Sequence, residues 1–148
     1  MYLTNEFRVP ASIETAWSSL LEVEKVVACV PGASLTETLG PTKWKGTLDV
    51  SLGAIHLTFE GTVELKQTDE ATRTILMWAE GHEGRGKGVA HGTVTSHLHQ
   101  EGDETVASVT AYLEMSGAIA QFSRGLIEDV AGDYVERFAA CLAERLGS

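Results

Sequence analysis

Long apolar runs are missing from this sequence, and so is any excess of positive charge. No stretch approaches the roughly 18 residues needed to cross a bilayer, so a membrane-spanning helix is not expected. Eleven basic side chains face 21 acidic ones, a formal charge of −10. That balance argues against nucleic acid as a partner and against simple electrostatic docking on anionic lipid, although a small local patch still suffices for membrane contact. Cysteine is scarce: Cys29 and Cys141 stand in separate elements and at no metal spacing. Each reads as a small buried hydrophobe, and without a disulfide framework a reducing cytoplasm is the expected compartment. The first residues, MYLTNEF, offer neither a basic nor an apolar signal region, so export is not expected. Three prolines, at positions 10, 31 and 41, punctuate only the first third.

What is present fits one soluble globular domain of 148 residues, 43% hydrophobic and 22% charged. Its organising stretch is the last, residues 117–146. Apolar side chains recur there at Ile119, Phe122, Leu126, Ile127, Val130, Tyr134, Val135, Phe138, Leu142 and Leu146. Spacings of three and four predict one amphipathic helix, about 45 Å long at 1.5 Å per residue. No other predicted helix is long enough to cover that stripe, so a sheet must.

The chain supplies one. Leu3, Phe7 and Val9 alternate in a first strand closed by Pro10, and Ser12 is placed to cap a short helix bearing Ala16 and Trp17. A second short helix over 23–29 runs into the Val30-Pro31-Gly32 turn. From there to Ser116 the period is two, predicting about six more strands joined by short turns. The result is an α+β meander whose concave face is left for the last helix.

On the penultimate strand the alternate positions are Gly86, Gly88, Ala90, Gly92, Val94, Ser96 and Leu98. Glycine in a strand marks either a sharp bend or a place where something approaches the backbone closely. A solid core around a bent sheet and a ligand-sized cavity therefore both stand.

Chemical machinery is sparse. Residues 81–88, GHEGRGKG, nearly match a phosphate loop, but Gly88 occupies the Ser/Thr position and a strand, not a helix, is predicted to follow. His91, His97 and His99 share the outer face of their strand without a cysteine or carboxylate at ligand spacing, and His56 also points outward. Lys43-Trp44-Lys45 places its ring inside and its charges outside. Glu128, Asp129, Asp133 and Glu136 fit a solvated helix face. No nucleophile elbow is present. No catalytic residue, metal ligand or covalent cofactor is expected, and a carrier is favoured over an enzyme.

Val9-Pro10-Ala11 with Ala16-Trp17, Ala28-Cys29-Val30-Pro31-Gly32-Ala33, Phe59-Glu60-Gly61, Arg85-Gly86-Lys87-Gly88 and Ser116-Gly117-Ala118-Ile119-Ala120-Gln121-Phe122 together carry a resemblance. Over nearly the whole chain they resemble the CoxG family, the accessory proteins of carbon monoxide dehydrogenase, within the START/Bet v 1-like (SRPBCC) superfamily. The resemblance implies a helix-grip fold: a curved antiparallel sheet of about seven strands, two short helices and a long C-terminal helix over a hydrophobic cavity. It implies recruitment of a molybdenum CO dehydrogenase-type hydroxylase to the inner membrane face, with menaquinone or another isoprenoid or lipid as ligand. A cytoplasmic protein, peripheral at the membrane, is expected; a polyketide cyclase-like enzyme on the same fold is the alternative. Two departures stand out. Longer members attach to membranes through a C-terminal extension, so anchoring by that route is not expected of a sequence ending at Ser148. Ser123 also stands where glycine is common.

If the cavity exists, its expected lining is Leu57, Phe59, Val109, Leu113, Met115, Phe122, Leu126 and Val130, with Gln121 as the polar contact for a head group. Gly117, Gly125 and Gly132 are expected to let the first half of the last helix hinge.

Overall fold

The computed structural model describes residues 1–146. Seven strands form one antiparallel sheet: β1 (Tyr2–Val9), β2 (Ala33–Gly40), β3 (Lys43–Leu52), β4 (Ile55–Asp69), β5 (Thr74–Glu83), β6 (Val89–Glu101) and β7 (Glu104–Ser116). The spatial order is β1-β7-β6-β5-β4-β3-β2, so β2 to β7 are a meander and β1 closes onto β7. Helices α1 (Ile13–Leu20) and α2 (Val23–Val27) connect β1 to β2. Ser12 caps α1 as its position predicts, its hydroxyl accepting from the Thr15 amide at 3.3 Å.

The sheet curls because it is creased. Gly46, Gly61 and Gly81 lie in register across β3, β4 and β5, and Ala90 of β6 continues the row. A methyl group on Gly61 would lie 1.8 Å from the Glu80 carbonyl oxygen, so any side chain there would force the strands apart. The strand glycines thus bend the sheet. Gly86 and Gly88, expected on the strand, belong instead to the loop before β6.

The last element is not one helix. A 3-10 turn (Ala118–Gln121) follows β7, Phe122 is extended, and α3 runs from Arg124 to Leu146. Ser123 sets that boundary. Its hydroxyl accepts from the Leu126 amide at 3.2 Å and its carbonyl from Ile127, which is how a helix N-cap satisfies free N–H groups. The apolar periodicity runs through the break because Ile119 and Phe122 face the same interior as Leu126. Ser123→Ala should cost about 1 kcal/mol in urea unfolding and Ser123→Gly only a few tenths. Equal losses would remove the hydroxyl's role.

The two cysteines form a disulfide, with Cα atoms 5.5 Å apart and 112 residues between them in sequence. It ties the end of α2 to the second half of α3. The expectation of two independent buried thiols is therefore wrong, and with it goes the basis for reading a reducing compartment from cysteine usage. Among the described residues no helix is long and apolar enough to cross a membrane.

Candidate functional site: the hollow beneath the last helix

Alternation fixes which side chains face α3. Leu3, Asn5 and Phe7 of β1, Met77 and Ala79 of β5, Val94, Ser96 and Leu98 of β6, and Ala107, Val109 and Leu113 of β7 point to the concave side. His91, His97 and His99 point to the convex side, where His91 meets Glu114 at 3.2 Å and stacks near Trp78.

The concave face is packed at its two ends. At the lower end Phe7, Val9, Ala16, Trp17, Ile75, Leu98, Ala107 and Leu142 form a buried cluster, closed by Val135, Phe138 and Ala139 of α3. Phe7 and Phe138 meet edge to face at 5.6 Å. At the upper end Leu52, Leu57 and Ile119 are buried, with Val50, Phe59, Ala90, Met115, Phe122, Leu126 and Val130 around them. Between these clusters the burial falls away. Val94, in the middle of the inner face, is 36% exposed, and Ala79 is exposed as well. Above this middle α3 offers Gly132, whose nearest cross-element neighbour is the Asn5 side-chain oxygen. The backbone of α3 approaches β1 most closely and β3 at one side. Exposed apolar groups on the roofed face of a sheet mark a hollow between two packed ends.

The expected lining residues divide accordingly. Leu57, Phe59, Met115, Phe122, Leu126 and Val130 come together in the upper cluster. Val109 packs against the lower one. Leu113 is half-buried opposite Gly92, over the middle. Gln121 is exposed on the 3-10 turn. Ala79, Val94 and Asn5 border the middle without having been expected there; β5 is apolar on both faces in sequence, which hides Ala79. At the side facing β3 a cleft of about 410 Å³ opens, lined in part by Pro31, Asp49, Val130 and Tyr134. The Tyr134 hydroxyl donates to the Asp49 carbonyl oxygen at 3.1 Å, and burial raises its pKa.

The upper end is closed by a clasp. Glu83, 3% exposed, accepts hydrogen bonds from the Thr58, Arg85 and Lys87 amides at 3.2, 2.8 and 3.4 Å. Burial pushes its pKa up, but these three donors and the Arg85 charge more than offset that, leaving it below the usual carboxylate range. Its contribution is accordingly full above the ordinary glutamate range and fades as pH falls through the lowered value. The loop it organises carries the Arg85-Gly86-Lys87-Gly88 motif. The Lys87 carbonyl accepts from the Ile119 amide at 3.1 Å. Gly88 (φ 143°) and Gly117 (φ 81°) then touch backbone to backbone; a methyl on Gly88 would lie 2.0 Å from the Ser116 carbonyl oxygen. Two motifs far apart in sequence are therefore one joint, with Ile119 as its plug. Glu83 carries no sequence motif, though its parity with Ile75 and Met77 marks it as an inward-facing acid.

Comparison with known proteins agrees with this geometry. The family model for CoxG, the carbon monoxide dehydrogenase component of that name, matches residues 6–147. The chain belongs to the CoxG family. Among solved structures, a conserved protein from Geobacillus kaustophilus aligns with a TM-score of 0.86 at 17% identity, covering 99% of this chain and 95% of that one. A START superfamily protein from Mycobacterium smegmatis gives 0.65 at 18% identity, covering 99% and 97%. The Zhui aromatase/cyclase from a Streptomyces strain gives 0.58 at 15% identity, covering 99% and 90%. No match was found among curated proteins. The helix-grip, START/Bet v 1-like fold is thus established for this CoxG protein.

Proposed function

We infer that this CoxG protein is a non-enzymatic carrier of a hydrophobic small molecule, a quinone such as menaquinone or another lipid, held between the sheet and α3. In this role it serves a molybdenum hydroxylase of the CO dehydrogenase type and links it, at the membrane, to the quinone pool. Family membership supports the accessory role. The observation that carries the carrier role is the exposed Val94 on a face roofed by α3. Burying roughly 400 Å² of an isoprenoid tail at about 25 cal/mol per Å² gains on the order of 10 kcal/mol relative to water. Relative to a bilayer the transfer is close to neutral, because lipid tails are as apolar as leucine. A molecule that must both load and release needs that balance.

A cyclase-like reading would require an acid and a base facing the bound molecule. The polar side chains facing the middle include Asn5 and Ser96, both neutral, and Glu83 is already engaged by three backbone donors.

Filling the hollow tests the carrier. Val94→Phe should abolish binding of a fluorescent apolar probe such as N-phenyl-1-naphthylamine while changing the unfolding free energy by less than about 1 kcal/mol. A packed core would instead lose about 1–3 kcal/mol to crowding and show no probe binding in the parent protein. Mass spectrometry of an organic extract of the purified protein would identify the natural cargo.

A further inference from the structure

The charge of this chain is unevenly placed. Residues 52–58, 84–89 and 116–123 contain Arg85 and Lys87 and not one aspartate or glutamate; all 21 acidic side chains lie elsewhere. The fold brings those three segments to one end. The Gly84 amide donates to the Thr58 carbonyl, the Arg85 guanidinium donates to the His56 carbonyl, and the Ile119 amide donates to the Lys87 carbonyl. The same end exposes large apolar side chains: Ile55 is 49% and Val89 46% exposed, two of the most exposed in the protein. Small residues that add no polar bulk, Ala54, Ala118 and Ala120, are exposed beside them. The nearest carboxylates already have partners. Glu83 is buried under backbone donors, Asp49 accepts from the Thr58 hydroxyl at 2.8 Å, and Glu114 pairs with His91.

We propose that this acid-free tip, with Ile55 and Val89 as apolar contacts and Arg85 and Lys87 as cations, docks the protein on an anionic bilayer surface. Charge complementarity selects that occupant. A chain of −10 is repelled by anionic lipid everywhere except where its carboxylates are absent, so the field orients the molecule tip first. Isoleucine and valine beside cations suit the headgroup boundary, where apolar side chains leave water and ammonium and guanidinium groups meet phosphate. The tip is also the clasp that covers the upper end of the hollow, so docking puts the joint between loop 84–88 and the 3-10 turn against the lipid. The purpose of the contact rests on the carrier reading; the contact itself does not.

Vesicle sedimentation tests this with the intact chain. Vesicles of phosphatidylcholine with about 30% phosphatidylglycerol should retain the protein, and pure phosphatidylcholine should retain far less. Lys87→Glu should lower retention at least about fivefold, as expected for one cation near the surface. Ile55→Ser should lower it independently, while Lys66→Glu, on a lysine paired with Glu64 away from the tip, should leave it unchanged. Thermal melts of each variant establish folding. No retention by the parent protein, retention indifferent to lipid charge, or equal losses in K87E and K66E would each overturn the proposal. Retention unchanged in both K87E and I55S would overturn it too and assign the tip to a protein partner. If the parent protein binds no apolar probe yet K87E still loses vesicle retention, the docking surface stands and the hollow falls.

Discussion

Replacing Cys141 with serine is expected to lower the unfolding free energy by about 4–5 kcal/mol. The bond joins residues 112 apart, and a closed loop of that length removes roughly this much freedom from the unfolded chain. For a domain of this size the loss corresponds to a fall in melting temperature on the order of 10–15 °C. Reducing the parent protein with a dithiol should reproduce the shift, and the Cys29→Ser, Cys141→Ser double variant should melt at the same temperature with or without reductant. The bond is well placed for leverage. The upper half of α3 is held mainly by partly buried side chains, whereas the lower half carries Phe138 and Leu142 in the larger core. Fastening the lower half leaves the upper half as the part able to lift. An unchanged melting temperature under full reduction would show that packing alone holds α3 in place.

Ile119→Ala should be the next most damaging substitution, at about 3 kcal/mol. Ile119 is 1% exposed and fills the space between Leu52 and Leu57, so truncation removes buried surface and leaves a void that backbone rigidity prevents from closing. Its amide is bonded to the Lys87 carbonyl, which the variant retains, so the joint loses its plug and keeps its hydrogen bond. Dissociation of a bound apolar probe should quicken severalfold while Val94, which borders the probe, is untouched. Urea unfolding and stopped-flow release measure the two effects. Loss of stability with release unaltered would separate the clasp from the cargo's exit route.

How much of this is legible in the sequence follows from the range of the forces involved. Period-two alternation in β3 and β4 and Ser12 ahead of α1 are local patterns, and both point to the right elements. The crease is half legible: glycines are visible on β6, but only strand register shows Gly46, Gly61 and Gly81 in one row. Ser123 is open to two readings, because a serine can continue a helix or cap one, and the side-chain stripe continues across the cap. Cys29 and Cys141 offer no signal. Pairing depends on two Cα atoms lying within about 7 Å of one another, and nothing local encodes that distance. The clasp is similar. Arg85-Gly86-Lys87-Gly88 and Ser116-Gly117-Ala118-Ile119 can each be picked out as motifs, yet their contact is a property of the fold.

The separation of the interior into two clusters has a wider consequence. A protein with one continuous core must accommodate every new cargo by repacking everything at once. Here the keel, built from Phe7, Trp17, Leu98 and Leu142, shares no side chain with the lip around Leu57 and Ile119. Lineages can therefore reshape the lip for a bulkier passenger or a different host surface while inheriting the keel unaltered, which gives the architecture room to diversify at 15–18% identity without losing its shape.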